Sequence, residues 1–211
     1  MKVGKTMFTK IKEEIKNYAE QYNILKKVYM DKNTELKANY IGKMFDSEFA
    51  TNHQQFNDAV LALQIEAKEK LSTAYSAITE SIRNSVIDDL GSETIAELNL
   101  IKGLNLSEFE IRGYAEKYTG NAKALRILTE IAESKGIYFN YTSHQEVLDV
   151  VKQLKERTTD FINGYHGDYR MFGFYAGDYN HALTLNGDPI DLAEDVYNDF
   201  MNPFKGSASN G

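Results

Sequence analysis

Four histidines, His53, His144, His166 and His181, have the widest chemical range in this chain, because imidazole alone changes charge near neutral pH and is the commonest acid, base or metal ligand. Two of them, His166 and His181, share a stretch with Asp168, Asp178 and Asp188. Imidazole and carboxylate together suit a divalent metal and, through it, hydrolysis. The spacing argues otherwise: there is no HExxH, and the order of an EF-hand loop breaks after Asp178 and Asn180. Each of these aspartates follows a glycine, which is how turns are made. His53 and His144 sit at a turn and in a helix cap, which are ordinary surface settings.

Other chemistries are missing as well. With no cysteine there is no thiolate nucleophile, thiolate metal site or disulfide. GxSxG, GxxxxGK[ST] and a GxGxxG behind a strand do not occur. Glu13-Glu14 and Asp88-Asp89 are adjacent on helices, so each pair diverges and forms no carboxylate dyad. The reading is of a protein without catalytic residues, metal or cofactor.

The stronger ligand signal is aromatic. Tyr165, Tyr169, Phe172, Phe174, Tyr175 and Tyr179 lie close together with Arg170 among them, and such side chains grip a protein partner or dock a glycine-rich segment onto its own helices. These seven residues are the expected partner-binding group.

The elements behind that segment are helices. From Thr6 to Leu90 there is no proline and one glycine, Gly42. Ile11, Ile15, Tyr18, Tyr22, Leu25 and Tyr29 recur in alternating steps of four and three, the period of a coiled-coil seam. Val60, Leu63, Ala67, Leu71, Ala74, Ile78, Ile82 and Val86 form a second stripe. This predicts a long helical hairpin over 1–91, turning near residues 46–52, where Thr51 and Asn52 can cap the second arm. Ile15, Tyr18, Tyr22, Leu25 and Tyr29 are the expected oligomer seam.

Beyond Leu90, glycines and caps come more often, predicting a small helical bundle over 92–163. Ser92, Ser107 with Glu110, Asn121, and Ser143 with Glu146 mark helix starts, and Gly103, Gly120, Gly136 and Gly164 mark ends. The segment 164–201 repeats Gly-Asp at 167, 177 and 187. It is expected to form a short β-hairpin-like piece and then a terminal helix opening at Asp188-Pro189. Residues 202–211 read as a disordered end. The fold class is mainly α.

The net charge is −7. Residues 1–38 hold nine Lys/Arg against five Asp/Glu, whereas 164–211 hold two against seven, so one molecule's basic arm can meet another's acidic tail. Overall acidity argues against nucleic acid as a partner. The absence of a long apolar run argues against membrane, and the N-terminus lacks a signal-peptide core, so a cytoplasmic location is expected.

The run LNLSEFEIRGYAEKYTGNAKALRILTEIAESKGI, after a Lys/Glu/Tyr-rich helical N-terminus, resembles structural and assembly proteins of tailed bacteriophages and prophages of Gram-positive bacteria. The resemblance covers about residues 90–165 and carries over no functional residue. It implies a virion or head-assembly component that acts by binding, although the aromatic tail departs from a purely scaffolding sequence. Residues and resemblance together point to a self-associating structural or assembly protein, a homo-oligomer that also contacts other virion or assembly proteins. A monomeric adaptor that recognises its ligand through the tail is the alternative, and a metal-dependent hydrolase built on His166 and His181 is the third.

Overall fold

The computed structural model describes residues 2–87, 90–138, 142–164, 167–168, 172 and 188–201. Among these residues the chain is helical: α1 (Lys2–Asn39), α2 (Gly42–Ile87), α3 (Ser92–Gly103), α4 (Glu108–Lys117), α5 (Ala122–Ser134), α6 (His144–Asn163) and α7 (Pro189–Met201). The mainly α class is as the apolar periodicities require. No strand occurs among the described residues, so the β-hairpin expected in the tail is not supported there, and residues 173–187 lie outside them.

The reversal between the two long helices falls at Tyr40 and Ile41, earlier than the expected 46–52. Gly42 has φ +55°, and this left-handed conformation is cheap only for glycine. Thr51 and Asn52 therefore lie inside α2 instead of capping it. The Thr51 hydroxyl donates to the Ser47 carbonyl one turn back at 3.0 Å, and the Asn52 amide donates to Asn33 Oδ1 at 2.8 Å. Polar residues read as a cap serve here as internal and cross-helix contacts.

Short-range capping chemistry sets the later helices. The Ser107 amide donates to Glu110 Oε2 at 2.8 Å, and the Glu110 amide to Ser107 Oγ at 3.4 Å. Ser143 and Glu146 make the same reciprocal pair at 2.7 and 3.2 Å. Asn121 Oδ1 accepts from the Ala124 amide at 3.0 Å. Each pairing satisfies amides that a helix start leaves open. Ser92 is not a cap, because that position falls on Gly91, whose lack of a side chain leaves the first turn without a side-chain acceptor.

The described residues fall into two compact units. The first draws on Met1–Phe8, Tyr75–Leu154 and Ile190–Gly211. Within it α5 packs against α3 and α4, and Leu98, Ile101, Ile111, Ala115, Leu125 and Leu128 close a core. Also in this unit, Phe8 meets Tyr197 with ring centroids 5.6 Å apart, Ser81 shares a 3.0 Å hydrogen bond with the Tyr197 hydroxyl, and the Tyr75 hydroxyl donates to the Leu154 carbonyl. The second unit draws on Thr9–Ala74 and Lys155–Pro189. Its core is Ile11, Ile15, Tyr18, Val60, Ala67, Phe161 and Ile162, all buried. Among the described residues no helix is long and apolar enough to cross a membrane.

Two glycines separate backbone strain from packing. A Cβ would have open space at both Gly42 and Gly113, but only Gly42 has a positive φ. Gly42→Ala should therefore destabilise by about 1–2 kcal/mol, and Gly113→Ala, inside α4, should stabilise by about 0.5–1 kcal/mol. Urea unfolding of both variants checks the opposite signs. The caps also carry a pH signature. Hydrogen bonds from Ser107 and Ser143 hold the Glu110 and Glu146 carboxyls below the ordinary glutamate range. A depressed folded pKa means that the cap's contribution is complete above the ordinary glutamate value of about 4.3 and is lost as pH falls through the folded value. Protection factors of the Ser107 and Ser143 amides, which donate to these carboxylates, should fall over that acid window and stay level from pH 5 to 8.

Candidate interaction surface

In the second unit α1 and α2 lie antiparallel, and a polar pair fixes their register. Asn52 Nδ2 donates to Asn33 Oδ1 and, at 3.3 Å, to the Tyr29 carbonyl. The Tyr29 and Phe56 rings stack with centroids 4.7 Å apart. Asn33 is thus level with Asn52 and Tyr29 with Phe56, and the same count puts Ile24 level with Leu61 and Lys27 with Asp58. Around these points the seam is aromatic: Tyr22 packs against Phe56 and Tyr29 against Phe49 and His53, with Phe45 against Phe49 along α2. His53 Nδ1 lies 3.3 Å from the Tyr29 hydroxyl, so this histidine belongs to the seam and not to a turn.

The residues expected to form an oligomer seam are largely covered within the chain. Ile15 and Tyr18 are fully buried and Tyr22 nearly so, while Leu25 and Tyr29 are half-buried. The cover comes partly from the C-terminal end of α6, whose last carbonyls have no partner in their own helix. The Tyr18 hydroxyl and Gln64 Nε2 each donate to the Ile162 carbonyl at 2.8 Å, and Lys68 Nζ donates to Asn163 Oδ1 at 2.6 Å. The Tyr18 ring stands edge-on to Phe161. A contact between molecules through Ile15 and Tyr18 would have to displace α6, so their periodicity marks an internal core.

Of the expected partner-binding group, only Phe172 is among the described residues. It is buried, with its ring edge-on to Phe161 at 5.8 Å. Tyr165, Tyr169, Arg170, Phe174, Tyr175 and Tyr179 lie outside the described residues, as do His166, His181 and Asp178. Asn23 Nδ2 donates to the Gly167 carbonyl, and a Cβ at Gly167 would run into the Asn23 amide, so this Gly-Asp pair sits directly on α1. Lys12 pairs with Asp188 at 3.0 Å, which places one contact between the basic arm and the acidic tail inside a single chain. No group of three potential metal ligands occurs among the described residues.

In the first unit a concavity of about 210 Å³ is lined by Val86, Lys123, Arg126, Ile127, Glu130 and His144. Arg126 pairs with Glu130 at 3.4 Å, and His144 Nε2 is buried with no hydrogen-bond partner among the described residues. Among the described residues the lining pairs an imidazole with an ion pair.

One face of the hairpin is left open. Ile24 is 55 % exposed, Val28 62 % and Met44 63 %, and Ile41 at the turn is 90 % exposed. With 100° of rotation per residue, Ile24 and Val28 share one side of α1's seam and Met44 lies on the matching side of α2. That side is opposite Asn23 and Gln64, whose bonds to Gly167 and Ile162 mark where the third layer sits. Sequence reasoning missed this face because it follows the dominant stripe. Its signal was large apolar residues recurring at i and i+4 beside the seam, as Ile24 and Val28 do.

No protein-family model matches the chain, and comparison with curated proteins and with solved structures gives no match.

Because two donors share the Ile162 carbonyl, their removal should be coupled. Tyr18→Phe and Gln64→Leu should each cost about 0.5–1.5 kcal/mol, and the double variant should cost about 1 kcal/mol more than their sum, since only it leaves a buried carbonyl unpaired. Strict additivity in denaturant unfolding would show that this carbonyl does not hold α6 in place.

Proposed function

We propose that the protein is a non-enzymatic, self-associating structural or assembly component that acts through protein–protein contacts. The observation that carries this reading is the open apolar face of the α1–α2 hairpin, with Ile24, Val28 and Met44 more than half exposed, and Ile41 exposed at the turn. Large apolar side chains grouped on one face of a two-helix arm gain little from water and much from a matching surface. The seam shows how such an arm is read: aromatic packing gives strength and the Asn33–Asn52 pair sets the register. The resemblance of residues 90–165 to structural proteins of tailed phages agrees with a protein present in many copies, and on this reading it is a virion or head-assembly component made in the cytoplasm. Its partners are further copies of itself and neighbouring assembly proteins.

Light scattering across a concentration series tests the proposal. The expected result is a mass that rises to a fixed multiple of 24.0 kDa. A mass of 24.0 kDa at every concentration would overturn it.

A further inference from the structure

We propose that two copies of this chain pair through the open face of their hairpin arms, residues 24–65, with α1 of each copy lying antiparallel to α2 of the other in a four-helix bundle. This rests on the self-association reading and specifies its surface, partner and orientation.

Charge first argues for a second copy as the occupant. The chain carries a net −7, so two copies approaching through most of their surface repel one another. The acidity is concentrated in residues 66–99, with three basic against seven acidic residues, and in 164–211, with two against seven, whereas the arm is neutral: residues 24–65 hold five lysines and five acidic residues. The charges are also sorted by helix. On α1, residues 24–39 carry Lys26, Lys27, Lys32 and Lys37 against Asp31 and Glu35, an excess of two positive charges. On α2, residues 42–65 carry Lys43 against Asp46, Glu48 and Asp58, an excess of two negative charges. A surface whose halves are opposite in sign complements itself under a two-fold axis, which is what an isologous dimer needs.

Register then specifies the pairing. When the two-fold axis runs along the arms, each residue of α1 is level with the same α2 position in the second copy as in its own. Ile24 then meets the neighbourhood of Leu61 and Ala62 of the second copy, and Lys27 lies beside Asp58 of the second copy. Lys27 and Asp58 form no ion pair among the described residues, although Asp58 accepts a hydrogen bond from Gln54. Ile24, Val28 and Met44 supply the apolar contact, and by the same 100° count Glu35 of α1 and Glu48 of α2 lie on this face beside them. The third layer approaches from the other side of the hairpin, through Asn23 and Gln64, so the pairing leaves those contacts of the second unit in place.

Two measurements on the full-length chain decide the matter. Ile24→Lys with Val28→Lys should reduce the assembled mass at least twofold, with the circular dichroism of the helices unchanged. A variant that keeps both its helicity and the wild-type multiple would refute this face and leave self-association standing, whereas a wild type that is monomeric throughout removes both. The orientation is read by cross-linking, for which the absence of native cysteine gives a clean background. Ile24→Cys protein mixed with Ala62→Cys protein should yield a disulfide-linked species of twice the chain mass. A mixture of Met30→Cys and Ala62→Cys proteins should yield little, because Met30 lies on the other side of the α1 seam. Equal yields from both mixtures would overturn the antiparallel pairing.

Discussion

The carbonyl of Ile162 is the point on which the second unit depends. It belongs to the last turn of α6, where carbonyls have no intrahelical donor, and it is buried, so leaving it unpaired would cost about 1–3 kcal/mol. Tyr18 from α1 and Gln64 from α2 both supply it. One acceptor thereby ties three helices together at a defined depth. Phe161 beside it presents its ring to Tyr18 and to Phe172, so the polar bond and the aromatic packing specify the same placement. A hydrophobic stripe alone would let α6 slide along the hairpin groove; two directional donors converging on one oxygen do not.

That arrangement also determines what the hairpin has left to offer. Where α6 ends, Ile15 and Tyr18 are sealed. Farther toward the turn the contacts among the described residues are between the two helices, and side chains such as Leu25, Tyr29, Phe45 and Phe49 are half-covered. A pair of helices can bury only the stripe along their line of contact, and any apolar residue beside that stripe stays wet. Ile24, Val28 and Met44 are in that position on one side, and Met30, also more than half exposed, is on the other beside Lys26, Lys37 and Asp46.

Much of this architecture was legible in the sequence, for local reasons. Ser107–Glu110, Ser143–Glu146 and Asn121 announce helix starts through bonds spanning three residues, and such chemistry needs no tertiary knowledge. The coiled-coil period of α1 was equally plain. Its partner was not: the same Ile15 and Tyr18 spacing serves a seam between molecules or a core within one, and the choice depended on Ile162, far away in sequence. The turn was misplaced for a different reason. Thr51 and Asn52 look like caps because capping is their commonest use, but Asn33 stands opposite Asn52 and gives its amide a partner across the hairpin. Gly42, the lone glycine between Thr6 and Leu90, was the better signal, since an abrupt reversal needs a left-handed residue. In the tail, Phe172 shows a residue of the expected partner-binding group taken up by the core, an outcome that aromatic composition alone cannot distinguish from display.

Function in such a protein turns on how strength is divided between apolar contact and charge. Ion pairs at an exposed rim contribute little each, about 0.2–1 kcal/mol, so the lysines and acids of the arm cannot hold an assembly together. Their effect is to select. In a chain whose acidity is concentrated in residues 66–99 and 164–211, a neutral arm with its two signs sorted onto two helices lets like molecules approach without that repulsion, and it favours one alignment over its reverse. The apolar residues between those charges then supply the binding that the rim cannot. The Asn33–Asn52 pair contributes to the same end from inside the arm: by fixing α1 against α2 it presents the outer face in a single register, so recognition between copies inherits a geometry already set within each chain.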